Sequence, residues 1–172
     1  MLRSALKFAA GAAVATALWL YATPLYNRVI AEIAEPIVRM DPRLRNAEIV
    51  VAERRLIARG DADQPHLPGV VIPAEELTYN VILLAGLFAT NPAPFRDRSM
   101  KLFAYSLLVL FATHILATVV AIEATYVTQT AWGKTAYSTI ESGFWRGAEF
   151  AYRLAGMFAI AFGCWWITRG SK

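Results

Sequence analysis

The sequence predicts an all-α membrane protein with four transmembrane helices and a small extracytoplasmic insertion, made of an amphipathic helix and a β-hairpin-like element. Hydrophobic residues make up 57% of the 172 residues and are concentrated in long blocks separated by charge-dense segments. The 17 Lys and Arg residues and 13 Asp and Glu residues give a net charge of +4. The basic residues do not gather into one patch with interleaved aromatics, so lipid headgroups, and not nucleic acid, are the expected counter-charge.

Residues 1–26 are the first predicted transmembrane helix, with a basic start formed by Arg3 and Lys7. A basic start before an apolar stretch is also typical of a cleaved signal peptide. No small-x-small cleavage site follows this block, however, so we expect a retained helix.

Residues 27–72 are predicted to lie outside the cytoplasm. Their first part has apolar residues at helical spacing between charged ones, which favours an amphipathic helix at the membrane surface over a solvated linker. The apolar positions are Val29, Ile30, Ile33, Ile37 and Val38. We expect Pro36 to bend this helix and Pro42 to end it. The imperfect alternation over residues 47–59, followed by the breaker-rich GDADQPHLPG, predicts a short β-hairpin.

The second transmembrane helix is predicted over residues 73–91. Pro73 suits the first position of a helix, and the carboxylates of Glu75 and Glu76 suit the positive end of the helix dipole. About 18 residues would span roughly 27 Å, just enough for a bilayer core of about 30 Å. A re-entrant segment is the alternative.

The remaining chain is predicted to cross the membrane twice more. A basic turn over residues 92–101 precedes the third helix, residues 102–122, which carries no formal charge. An aromatic and hydroxyl-rich extracytoplasmic loop over 123–144 leads to the fourth helix, 145–168, and a tail, 169–172. Because Lys and Arg of the short connections fall on one side, the positive-inside rule predicts that both termini are cytoplasmic.

Small residues spaced by four form a ridge on the first and fourth spans. They are Ala9, Ala13 and Ala17 on the first span and Gly147, Ala151, Ala155, Ala159 and Gly163 on the fourth. Small residues allow the close backbone approach by which helices associate in lipid. We therefore expect these ridges to be helix-packing surfaces and the two spans to be natural mates.

Charged and aromatic side chains mark the ends of the spans. A charge cluster at the extracytoplasmic interface comprises Glu75, Glu76, Arg146, Glu149 and Arg153. Either Arg146 and Arg153 pair with Glu149 within one helix and snorkel towards headgroups, or one of them meets Glu75 or Glu76 and fixes how the spans dock. The predicted interfacial anchors are Trp132, Trp145, Trp165 and Trp166.

We expect no catalytic centre, metal site or cofactor. The predicted depths of His114 and Cys164 in their spans differ too much for a nucleophile–base pair. Haem held between spans needs two axial histidines, and only His114 has a suitable position. The loop residues Asp61, Asp63 and His66 match no structural zinc or EF-hand spacing.

The plan of the chain resembles that of the exosortase H-associated membrane proteins, which are encoded beside bacterial exosortases. The features that carry the resemblance are the basic-headed first span, the long first loop, the segment LTYNVILLAGLFATNP with its basic turn, and the aromatic closing span. The resemblance implies a multi-pass accessory protein of the bacterial cytoplasmic (inner) membrane. The chain lacks a set matching the Cys, Arg and His of the exosortases themselves.

The expected function is that of a non-catalytic accessory subunit that packs against a larger integral membrane protein within the lipid bilayer, with no nucleic acid involved. Two alternatives stay open. One is a supernumerary subunit of an energy-converting membrane complex. The other is a small transporter, which would need several copies to line a path because the spans carry no acid near the midplane.

Overall fold

The computed structural model describes residues 2–60 and 67–170, and most of these are helical. The helices are α1 (Leu2–Val38), α2 (Ala74–Thr78), α3 (Asn80–Ala89), α4 (Asp97–Gln129), α5 (Ala131–Ala136), α6 (Thr139–Ala151) and α7 (Met157–Gly170). The strands are β1 (Ala47–Ala52), β2 (Arg55–Gly60) and β3 (Val70–Ile72). A 3-10 turn, Pro42–Leu44, follows α1, and a π turn, Tyr152–Gly156, joins α6 to α7.

Three helices in the described part of the chain are long and apolar enough to cross a membrane. They are α1, α4 and the continuous helix Thr139–Ile167, which contains α6, the π turn and most of α7. The prediction of a mostly helical protein with helices of the membrane-spanning type is thus confirmed. The predicted second transmembrane helix is instead divided into α2 and α3, and the ten residues of α3 extend only about 15 Å.

The first helix is longer than expected. The predicted first span and amphipathic helix form one continuous helix, α1, which contains Pro24 and Pro36. Both prolines lie on its exposed side, where water or lipid surrounds the interrupted hydrogen-bond ladder. The outer part of α1 is amphipathic, as predicted, but its buried side differs from the expected one. That side carries Asn27, Ile30, Ala31, Ala34 and Val38.

The chain forms two compact units. The helical unit contains the residues up to Ala22, Thr78–Thr113 and the residues from Ala155 onward. The sheet unit contains Thr23–Leu77 and His114–Leu154. Half of the most apolar 18-residue window of α4 is buried, because residues beyond His114 contribute to the core of the sheet unit.

The short helix α3 packs closely against α1 in the helical unit. A Cβ atom added at Gly11 would lie 2.5 Å from the Cβ of Ala89, and one added at Gly86 would lie 2.8 Å from the ring of Phe8. Further along, the Trp19 indole donates a hydrogen bond to the Thr78 hydroxyl over 3.3 Å. The two helices are therefore antiparallel and separated by little more than backbone.

Helices α4 and α7 pack on the same short helix. Leu84 of α3 forms a buried cluster with Leu110 and Ala161. The Asn80 amide donates to the carbonyl of Met157 over 3.4 Å, so α7 starts level with the start of α3 and runs in the same direction. Since α1 is antiparallel to α3, the N-terminal part of α1 and the C-terminal part of α7 lie at the same end of the helical unit.

The sheet unit contains a three-stranded antiparallel sheet in the order β1-β2-β3. The predicted hairpin is present as β1 and β2, with Ala52 paired to Arg55 across a two-residue turn. Glu53 in this turn has a φ of 55°, the left-handed conformation that tight hairpin turns require. The Tyr126 hydroxyl of α4 donates to the Ala58 carbonyl over 3.2 Å, which fixes the helix to the sheet.

Gly11→Leu tests the close contact between α1 and α3. The new side chain would overlap Ala89, and overpacking of this kind costs about 1–3 kcal/mol. Gly163→Leu is the matched control, because a Cβ atom there meets nothing within 4 Å. We expect the thermal midpoint in mild detergent to fall for Gly11→Leu only, and equal midpoints would contradict the packing described.

Candidate functional site

A groove with a volume of about 790 Å³ opens in the sheet unit. It lies between the end of β3, the last turns of α4 and one side of α6. The lining residues are Val71, Pro73, Thr125, Thr128, Gln129, Gly143, Arg146, Gly147, Glu149, Phe150 and Arg153. This volume falls within the range of about 300–1,000 Å³ that is usual for ligand-binding sites.

The side of α6 that faces the groove combines glycines with long polar side chains. A capping box between Ser138 and Glu141 fixes the start of α6. Gly143 and Gly147 then line the groove, and a Cβ atom at either position would meet nothing within 4 Å. The floor along α6 is therefore open, and Arg146 extends from the same side of the helix.

The charge cluster predicted from the sequence forms an ion-paired triad at one end of the groove. Arg153 pairs with Glu76 over 2.5 Å and with Glu149 over 3.0 Å. Both expected arrangements are thus present at one arginine, the pair within the helix and the pair with the second apolar segment. Glu75 is not part of this triad; its Oε2 atom lies 4.0 Å from Nη1 of Arg54.

Arg146 differs from Arg153 in its surroundings. Its side chain is exposed, and no carboxylate pairs with it among the residues the structure describes. The predicted alternative in which Glu149 pairs with Arg146 is not formed, because Glu149 contacts Arg153. The groove therefore carries one neutralised arginine and one whose charge is available.

A second polar cluster surrounds a buried carboxylate in the sheet unit. Glu123 at the end of the apolar stretch of α4 is 2% exposed and accepts a hydrogen bond from the Tyr137 hydroxyl over 2.5 Å. The Arg43 guanidinium stacks on the Tyr137 ring, 3.8 Å from its centroid. Arg43 also pairs with Asp41 and Glu141.

This cluster holds the chain segment after α4 against the sheet unit. Burial, together with the hydrogen bond to Glu123, raises the pKa of Tyr137, so its hydroxyl stays protonated and remains a donor. The hydrogen bonds with Asp41 raise the pKa of Arg43. Neither Glu123 nor Tyr137 was predicted as a site residue, although the position of Glu123 directly after the uncharged residues 102–122 was the available signal.

The ridges of small residues are exposed. This holds for Ala9, Ala13 and Ala17 and for Gly147, Ala151, Ala155, Ala159 and Gly163. In the helical unit, α1 packs through Gly11 and α7 packs through Met157 and Ala161. The expected pairing of the two ridges is not seen in the described residues, and their packing against a partner stays a prediction.

The four predicted tryptophan anchors have different environments. Trp132 is half-buried between Tyr126 and Tyr137, edge-on to both rings, so it belongs to the aromatic core of the sheet unit. Trp145 stacks edge-on with its neighbour Phe144. Trp165 packs against the core of the helical unit, whereas Trp166 is 69% exposed.

His114 and Cys164 belong to different compact units. His114 is buried in the sheet unit, with its Nδ1 atom 2.6 Å from the Tyr26 hydroxyl. Cys164 belongs to the helical unit, beside the cluster of Leu84, Leu110 and Ala161. Asp61, Asp63 and His66 lie outside the described residues.

Comparison of the chain with protein-family models, curated proteins and solved structures found no match. The resemblance to the exosortase H-associated membrane proteins therefore stays a prediction.

The triad predicts a specific coupling between residues 153 and 76. A double-mutant cycle of Arg153→Gln and Glu76→Gln should give a coupling free energy of about 0.2–1 kcal/mol, because the pair is partly exposed. The same cycle with Arg146→Gln should give a coupling close to zero. Unfolding in mild detergent provides the free energies, and equal coupling in the two cycles would contradict the assignment.

The buried carboxylate predicts a cost for removing its donor. Tyr137→Phe deletes the hydroxyl that donates to Glu123 and should destabilise the protein by about 1–3 kcal/mol, the cost of an unsatisfied buried polar group. Tyr105→Phe is the matched control, because it removes the same hydroxyl from a residue that is 66% exposed. A loss of stability in Tyr105→Phe as large as that in Tyr137→Phe would refute the role of the hydrogen bond.

Proposed function

We propose that this chain is a non-catalytic, multi-pass accessory subunit that packs against a larger integral membrane protein. The observation that carries the proposal is the bare apolar surface of its long helices. None of the most apolar 18-residue window of α1 and only 11% of that of Thr139–Ile167 is buried within the chain. Apolar surface of this extent is covered by lipid or by another protein.

The ridges support a protein partner in addition to lipid. Lipid tails are as apolar as leucine, so hydrophobicity does not drive helices together in a membrane, and close packing of small residues does. The C-terminal part of the ridge, formed by Ala155, Ala159 and Gly163, is exposed, with open space at Gly163. This surface fits the backbone of a partner helix.

We place the protein in the bacterial cytoplasmic membrane with both termini in the cytoplasm. Three helices are long enough to cross, and α3 is proposed as a fourth, shorter crossing. The direction of α3 relative to α1 and α7 supports this topology, as do the basic residues of the short connections. We propose that the partner belongs to an exosortase-type protein-sorting system, and this part of the proposal is based only on the arrangement of spans and loops along the chain.

Purification in mild detergent tests the proposal. The full chain should co-elute with a larger membrane protein in stoichiometric amount. The double substitution Ala155→Leu with Ala159→Leu should lower recovery of that partner at least about tenfold, which corresponds to about 1.4 kcal/mol of binding.

Two exposed alanines outside the ridges provide the matched control. Ala10→Leu and Ala104→Leu add the same volume to exposed positions of α1 and α4 and should leave recovery unchanged. A chain that elutes alone from native membranes, or equal losses in ridge and control variants, would refute the accessory function.

A further inference from the structure

We propose that the groove between β3 and α6 binds an extended peptide segment that carries an acidic side chain. The peptide would pair with the free edge of β3 and place its carboxylate on Arg146. The proposal rests on the proposed function only for the source of the peptide, which would be a partner protein.

The free edge of β3 provides the first argument. β3 pairs with β2 on one side, through Ile72 with Leu56 and Val70 with Ala58. In the part of the chain that the structure describes, no strand pairs with its other side. An edge strand has unpaired backbone donors and acceptors, which an extended peptide can satisfy by adding a strand.

The shape of the groove provides the second argument. Val71, at the centre of β3, is 46% exposed and lines the groove together with Pro73. On the opposite wall, Gly143 and Gly147 leave open space where other residues would have side chains. A strand on one wall, and on the other a helix that carries glycine at two of its groove-lining positions, leave room for a peptide backbone and its residues.

Charge selects the class of peptide. The guanidinium of Arg153 is already held by Glu76 and Glu149, so a ligand would have to displace an existing partner to use it. Among the described residues no carboxylate pairs with Arg146, and its planar guanidinium matches a carboxylate. Gln129 is exposed on the α4 wall, where its amide can donate to or accept from a peptide backbone.

A lipid headgroup is the competing anionic ligand, and the groove favours a peptide. Thr125, Thr128 and Gln129 give one wall a polar surface, and the strand edge adds backbone donors and acceptors. The hydroxyls of Thr125 and Thr128 already donate to the carbonyls of Ala121 and Ala124, but an acyl chain would leave the Gln129 amide and the backbone groups of the strand edge without partners, at a cost for each. A peptide backbone satisfies them.

Selection from a displayed pool of random hexapeptides tests the site directly, with the purified full chain as bait. The wild-type chain should enrich peptides with Asp or Glu at least about tenfold over Arg146→Glu, a difference of about 1.4 kcal/mol. Arg146→Glu should favour Lys or Arg instead. Proline at a central position of a selected peptide should abolish its binding, because proline removes a donor needed for strand addition.

Two further variants make the result specific. Arg55→Glu reverses a charge on an exposed side chain of the same unit and should leave the selected peptides unchanged. Gly143→Leu fills the groove without a clash, because a Cβ atom there meets nothing within 4 Å, and it should remove binding while the thermal midpoint is kept.

Three results would overturn the proposal. One is the absence of enrichment by the wild-type chain, and another is recovery of the same peptides by wild type and Arg146→Glu. The third is binding of the selected peptides to the chain in phosphatidylcholine nanodiscs but not in phosphatidylglycerol nanodiscs. That result would mean that the anionic lipid headgroup, and not a peptide, occupies the groove. The ridge variants of the last helix should still bind the peptides, so failure of this site and failure of the accessory function are distinguishable.

Discussion

Apolar surface on long helices is the constraint on which the rest of the structure depends. The windows that suit a membrane are buried to very different extents, 0% in α1 and 11% in Thr139–Ile167 against 50% in α4. Where lipid covers a helix, every backbone polar group must be bonded within the segment. Long helices meet most of that requirement, because nearly all of their backbone hydrogen bonds lie within the helix. The sheet is confined to the unit that also contains the ion pairs of Arg43 and Arg153.

Close packing explains how a helix as short as α3 can organise the helical unit. Its ten residues contact α1 through Gly86, α4 through the stacked rings of Phe88 and Phe103, and α7 through Asn80. Association in lipid depends on van der Waals contact and hydrogen bonds. A short helix that makes close van der Waals contacts and hydrogen bonds on all its sides can therefore stabilise the unit more than a longer helix that makes neither.

The sequence allowed the apolar helices, the hairpin and the charge cluster to be predicted, because each depends on local pattern. It did not show that the first span and the amphipathic helix form one continuous helix, since that depends on which side of the helix is exposed. Nor did it show the bond between Glu123 and Tyr137, whose partners are 14 residues apart. For the groove, helical spacing placed Arg146 and Arg153 on one side of the predicted fourth span, but the opposite wall comes from β3 and α4.

Arg146 and Arg153 show why composition alone does not define a site. They are separated by two helical turns on one side of the same helix, so any pattern in the sequence treats them alike. Glu76, 77 residues earlier in the chain, reaches Arg153, and Glu149 completes a triad of one positive and two negative charges. Because Glu149 is held there, it does not neutralise Arg146. The pairing of one arginine thus determines that the other keeps its charge available in the groove.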